Sequence, residues 1–539
     1  LAKAADRIIV IGLDSVDVDL VQRWSAEGRL PFLSSLMQAG AWARLISTRG
    51  LFSDSPWPSF NTGVSPAKHA FYNYLQLKRG TTEIIRADAR HCRYYPFWWL
   101  LRAARKKVAV FDVPKTYPLD GVEGLQIAAW GEHYPLLRQS SLPSPLAQEL
   151  TARFGRYRHP REIVEPRLSQ ETRIRDRLSA NIRIKAEATE WLMHLEDWDL
   201  FIAVFGEAHY GGHQFFHHFS EKHWAYDSKY AALFADVLPK IYSDLDASLA
   251  HLLRGSIEEA TIFIVSVHGI ATNYSANHLM PAVLEKLGFQ VRPVERAGPA
   301  GWRDKRVLLR ALEGLIPASV KKLLREGIVP QSMVDKVFAR HFSDSIDWHA
   351  TQAFFLPSDD FQGFISVNLK GREPWGTVEP GSECRELCNR ICFELRQLVN
   401  PKTGRAAVRD AVQVSELYQG ENLYRLPDIV IQWAEVGPID QLYHSKFGII
   451  ADESFAVRRN QHSADGFLIA AGKRINKRAE LSGASTMDLA PTLLYLMGET
   501  VPKEMDGRVL SELIDEEFKK SHPINYGERP LAAPEESAF

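Results

Sequence analysis

Three short apolar runs rich in β-branched residues constrain this chain more than any other feature: Arg7–Leu13, Asp199–Phe205 and Thr261–Val267. Each is apolar almost throughout, which suits a strand covered on both faces and not one with a wet side. Each also hands over at once to residues with chemistry. Asp14 follows the first, Gly206-Glu207-Ala208-His209 the second, and His268-Gly269 the third. Helical patterns alternate with these and later runs, including Ser15–Gly28, Pro31–Gly40, Val108–Val113, Leu125–Trp130, Phe364–Leu369, Asp428–Trp433 and Gly466–Gly472. The alternation predicts an α/β fold, a mostly parallel central sheet flanked by helices, with ligands at the carboxyl ends of the strands.

A chain of 539 residues exceeds one ordinary core, so two domains or one domain with insertions are the options. The pattern divides into core over 1–143, an arginine-rich helical insertion over 144–191 and core again over 192–291. A basic helical cap over 292–350, a return core segment over 351–515 and an extended tail over 516–539 follow. The two insertions are expected to cover the pocket. A formal net charge of −1 gives no reason to expect a nucleic acid polymer or a membrane surface as partner. No apolar run approaches the ~20 residues that cross a bilayer. The four cysteines, three of them at Cys384, Cys388 and Cys392 on one helical face, do not form a disulfide framework. With no signal-peptide pattern before the first strand, a cytoplasmic location is expected.

The stretch Ser53-Asp54-Ser55-Pro56-Trp57-Pro58-Ser59-Phe60-Asn61-Thr62-Gly63 suits a turn that enters a helix on a proline and presents a hydroxyl. Taken alone, such a serine is a helix cap. His209 and His213 stand four apart, one face of a helix, where they can chelate an ion or sit singly at the surface. Glu207 offers an oxygen ligand or an orienting contact. His268 reads as a core histidine or a ligand, and His462 as a loop histidine ahead of a strand. His133 and Asn273, both shortly after strands, are candidates to touch substrate or merely to shape loops.

Taken in order, these motifs resemble the alkaline phosphatase superfamily, in its type I phosphodiesterase/nucleotide pyrophosphatase branch. The resemblance extends to Asn368-Leu369-Lys370-Gly371-Arg372-Glu373-Pro374, Leu426-Pro427-Asp428, Thr486–Thr492 and Met505-Asp506-Gly507-Arg508. It implies that Asp14 bridges metals and that Ser53, nine residues before Thr62, is the nucleophile, with Ser55 as fallback. His213, His268 and His462 match further metal ligands. Two positions depart from the family pattern: His209 and Val267 each replace an aspartate. The resemblance therefore implies a zinc site of His209, His213 and His462, and a weaker second site around Asp14, Ser53 and His268.

The implied function is a metal-dependent hydrolase of small phosphate esters, of phosphodiesterase or nucleotide pyrophosphatase type, acting through a phosphoserine. Transfer of the same phosphoryl or alkylphosphoryl group to an alcohol, or ligand binding without turnover, are the other readings. Homo-oligomer formation stays open.

Overall fold

The computed structural model describes residues 7–132, 137–160, 162–163, 166–293, 339–358, 361–452, 458–479 and 481–528. Most of the basic cap anticipated over 292–350 lies outside the described residues.

Alternation along the first strand sets the architecture. In Arg7–Leu13, Ile9, Ile11 and Leu13 enter one apolar core, while Ile8 and Val10 enter a second on the other face. A strand buried on both sides belongs in the middle of a sheet. The eight strands run in the order Ala41–Ile46, Asp465–Gly472, Ala260–Ser266, Arg7–Leu13, Leu200–Phe205, Val108–Phe111, Gly124–Ala128 and Ser140–Leu142. The five from Ala260–Ser266 to Gly124–Ala128 are parallel to one another, and the remaining pairings are antiparallel. The mostly parallel sheet expected from the sequence is therefore present, with antiparallel edges. Ala41–Ile46 alternates buried and exposed residues, the mark of an edge strand with one wet face.

The arginine-rich segment does more than cover a pocket. Its helix Leu168–Met193 buries Ile174, Leu178, Ile182 and Leu192 at helical spacing in the core beneath the sheet, and leaves Arg173 and Arg183 exposed. It is a structural layer of the α/β fold. A second, four-stranded antiparallel sheet is ordered Ala353–Leu356, Gln362–Val367, Ile429–Trp433 and Val408–Gln413. Helix Ser382–Arg396 covers it, burying Cys388 and Cys392 in the core between them. The cysteines are free thiols. Residues after 515, read from sequence as an extended tail, include helix Glu516–Ser521 with Phe518 buried, and Tyr526–Gly527 paired with Val501–Pro502.

Helix Pro56–Thr62 starts on its proline and ends at Gly63, whose φ of 71° closes it in the left-handed conformation. Ser55 holds the N-cap position but does not cap; its Oγ turns back to Leu51 O at 2.7 Å and Thr48 Oγ1 at 2.8 Å. The helix lies against the first strand at Gly12. A Cβ there would come 2.7 Å from the Trp57 ring and 2.7 Å from the Val204 side chain. Gly12→Ala is therefore expected to destabilise the chain by about 1–3 kcal/mol through overpacking, measured by denaturant unfolding. An unchanged midpoint would refute this close approach.

Candidate functional site

The side chains at the strand ends converge as their positions suggested. Helix Glu207–Phe219 follows strand Leu200–Phe205 almost directly and carries His209 and His213 one turn apart. His462 comes from strand Asn460–Ser463, whose partner Gly269–Thr272 pairs Ile270 with His462. His462 is thus within a strand, not in the loop expected before one. The His462 Nε2 lies 3.1 Å from His213 Nε2 and 3.0 Å from His209 Nε2.

The outer nitrogens of two of these rings fix their tautomers. His209 Nδ1 faces Asp14 Oδ2 at 2.7 Å, and His213 Nδ1 faces the Asn460 carbonyl at 3.1 Å. Both partners only accept, so each Nδ1 carries hydrogen and, in the neutral rings, each Nε2 turns a lone pair inward. Lone pairs facing one another at this range repel unless a proton or cation lies among them. Tetrahedral ligands at 2.0–2.1 Å from a zinc ion stand about 3.3 Å apart, close to the spacing here. The three residues fit a metal ion.

Asp14, expected to bridge metals, stands behind His209 as its orienting carboxylate. Its Oδ1 accepts from Trp57 Nε1 at 2.8 Å, and His268 Nε2 is 3.6 Å from the same oxygen. This is the carboxylate–histidine arrangement that fixes a ligand's ring and raises its basicity. His268 is braced in turn by Ser15 Oγ at 3.1 Å from Nδ1. Ser15 has a φ of 58°, a left-handed conformation that non-glycine residues adopt at a cost and that recurs at functional turns. The His268 ring centroid lies 4.3 Å from that of His462, so His268 belongs to the same cluster.

Ser53 lies just before helix Pro56–Thr62, the helix whose Trp57 reaches Asp14. Its Oγ is buried and donates to Gln362 Oε1 at 2.9 Å. Phe52, beside it in sequence, lines a groove of about 610 Å³ that also exposes His462. Asp54 pairs with Lys115 Nζ at 2.9 Å. Burial pulls the Lys115 pKa down, but the Asp54 carboxylate outweighs it and, with Glu132 and Asp14, holds the ammonium charged. Lys115 escaped the sequence reading although it follows strand Val108–Phe111, the same kind of position that singled out Asp14.

Two candidates are not brought to this cluster. Glu207 faces the other way, accepting from Tyr157 Oη at 2.8 Å, with Lys185 and Asp112 the nearby charges. As the first residue of its helix it points away from the face that carries His209 and His213. Asn273 builds a turn: its Oδ1 accepts from Ser275 N and its Nδ2 donates to Arg458 O. His133 lies outside the described residues. Among the described residues a second histidine–carboxylate group, Glu171, His217 and His218, is close-set and buried. There Arg459 Nη1 donates to His217 Nε2 at 2.8 Å, so that group already carries a cation.

The profile of the type I phosphodiesterase / nucleotide pyrophosphatase family matches residues 8–435, well over half of the chain. The chain belongs to that family. Its members are phosphoester hydrolases. No curated protein matches the sequence significantly. Among solved structures, phosphonoacetate hydrolase from Sinorhizobium meliloti is similar, with a TM-score of 0.51 at 13% identity, covering 92% of this chain and 95% of that one. A variant of the alkaline phosphatase PafA gives a TM-score of 0.50 at 13% identity, covering 95% and 100%. At such identities the likeness establishes the alkaline phosphatase-like fold.

Glu132 provides a test of the electrostatics. Burial chiefly raises its pKa to about 8, against the downward pull of Lys115 and with help from Asp112 and Asp14. Between the ordinary value of 4.5 and about 8, the folded chain holds a proton that the unfolded chain has released. Its contribution to stability therefore falls as pH rises through that window. Glu132→Gln imitates the protonated carboxyl, so thermal unfolding in chelator is expected to show a shallower decline across the window than the parent chain. Identical slopes would refute the shift.

Proposed function

We propose that this chain is a metal-dependent phosphoester hydrolase that works through a phosphoserine at Ser53. The observation that carries the reading is the convergence of three imidazole Nε2 atoms at 3.0–3.1 Å, two of them braced from behind by Asp14 and the Asn460 carbonyl. His209, His213 and His462 would hold the ion, with His268 beside them, and nitrogen-rich donation of this kind suits zinc. A divalent ion held by these residues would supply Lewis-acid chemistry, favouring ionisation of a hydroxyl and offsetting the charge of phosphoryl oxygens. Val267, where the family carries an aspartate, is fully buried in the apolar core and offers no ligand, so a second ion would be held weakly.

The residues divide the work. Asp14 keeps His209 in one tautomer, and Ser15 holds the His268 ring in place through a hydrogen bond at Nδ1. Lys115, charged beside Asp54, favours an anionic substrate arriving next to Ser53. The Ser53 oxygen attacks phosphorus in line; its bond to phosphorus forms as the ester P–O bond breaks, and the leaving alkoxide takes up a proton. Water then attacks the phosphoserine: its oxygen bonds to phosphorus as the Ser53 O–P bond breaks, and a proton from that water restores the Ser53 hydroxyl. The groove beside His462 has room for a substantial ester substituent and aromatic walls to hold it.

Metal analysis of the purified chain, beside turnover of bis(p-nitrophenyl) phosphate and of a monoester, tests the reading. Ser53→Ala is expected to lose on the order of 10³-fold or more in kcat, and His462→Ala to lose one bound metal equivalent. Full activity in Ser53→Ala would remove the nucleophile, and two tightly held ions per chain would remove the single strong site.

A further inference from the structure

We infer that Gln362 is a hydrogen-bond donor to the reacting oxygens, supplied to the Ser53 site by the second sheet. This deepens the hydrolase reading and rests on it. Gln362 opens strand Gln362–Val367, which belongs to the four-stranded antiparallel sheet and not to the large one. Its side chain crosses to the turn before helix Pro56–Thr62, where Oε1 accepts the Ser53 hydroxyl at 2.9 Å. The residue is fully buried, and its Nε2 has no hydrogen-bond partner among the described residues. The Gln362 backbone carbonyl is taken by Asn277 Nδ2 at 2.9 Å, which anchors the residue from behind.

An unsatisfied buried donor costs about 1–3 kcal/mol, and native cores hold few of them. The amide nitrogen stands about 2.3 Å from its own oxygen by covalent geometry, hence only one group away from the Ser53 hydroxyl. The reacting phosphoryl oxygens must come to that same neighbourhood once the Ser53 oxygen engages phosphorus. Phe52 and Phe361, chain neighbours of Ser53 and Gln362, both line the groove that exposes His462, while the Ser53 and Gln362 side chains themselves are buried. The terminal torsion of a glutamine is soft, and half a turn exchanges acceptor for donor. Gln362 accepts the Ser53 proton's hydrogen bond at rest. It donates through Nε2 when negative charge develops on the serine or phosphoryl oxygens. A buried donor aimed at developing charge is the arrangement that stabilises a transition state more than a ground state.

The test uses the full chain with zinc, bis(p-nitrophenyl) phosphate as substrate and vanadate as a pentacoordinate mimic. Gln362→Met keeps length and packing without the donor, and Gln362→Glu replaces the donor by an anion. In Gln362→Met, kcat is expected to fall about 10²-fold with KM changed little, vanadate affinity to fall in step, and the melting temperature to hold or rise. Gln362→Glu is expected to lose more vanadate affinity than Gln362→Met. Wild-type kcat and vanadate affinity in Gln362→Met overturn the inference, as does a lowered melting temperature with vanadate affinity intact. Vanadate titration by calorimetry needs no turnover. A wild-type chain that fails to hydrolyse any ester therefore fells the hydrolase reading separately, while the affinity comparison still decides Gln362.

Discussion

Three imidazole rings that bring His462 Nε2 within 3.1 Å of the Nε2 atoms of His209 and His213 are costly by themselves, and much of the surrounding structure serves to keep them there. The hydrogen bond from His209 to Asp14 is the central restraint, because it joins the end of the middle strand to the first turn of the histidine helix. Trp57 secures the other carboxylate oxygen, and it can do so only because residue 12 has no side chain to keep its ring off the strand. Asn460 restrains His213 from the opposite side with its carbonyl, while its own side chain donates to the His213 carbonyl. The cluster is over-determined from several elements, which is how a protein tolerates an arrangement that would otherwise relax.

The second sheet meets the Ser53 turn through Gln362, a fully buried side chain. Ser53 is presented by the large sheet's helix, yet the group that orients its hydroxyl comes from the antiparallel sheet. The nucleophile candidate therefore sits on a seam, beside which Phe52 and Phe361 pack against each other with ring centroids 6.2 Å apart. The histidine cluster, by contrast, is held within the large sheet and its connections.

The middle of the sheet was legible because its strands are buried on both faces, and so read as unbroken apolar runs ending on Asp14, His209 and His268. The edge strand Ala41–Ile46 was missed because one wet face interrupts its apolar signal. The grouping of His209, His213 and His462 followed from the family pattern, and the geometry supports it. Spacing alone could not foresee that Asp14 stands behind His209, since a carboxylate at a strand end can face a metal or a ligand equally well. Glu207 misled because one position along a helix turns a side chain by about 100°. Gln362 and Lys115 gave no sign as residue types; only long-range packing brings them beside Ser53 and Asp54.

His462 reaches its partners by a route that carries a consequence for assembly. Its strand, Asn460–Ser463, pairs with Gly269–Thr272, a contact across nearly two hundred positions of chain. During synthesis, Asp14, His209, His213 and His268 can be in place with their strands long before the third imidazole emerges. Until then, His209 and His213 stand one turn apart without the third ring that the folded cluster sets against them. Closure of the short ribbon supplies the missing nitrogen and the carbonyl that locks His213 together. Completion of the three-histidine cluster is thereby tied to completion of the fold.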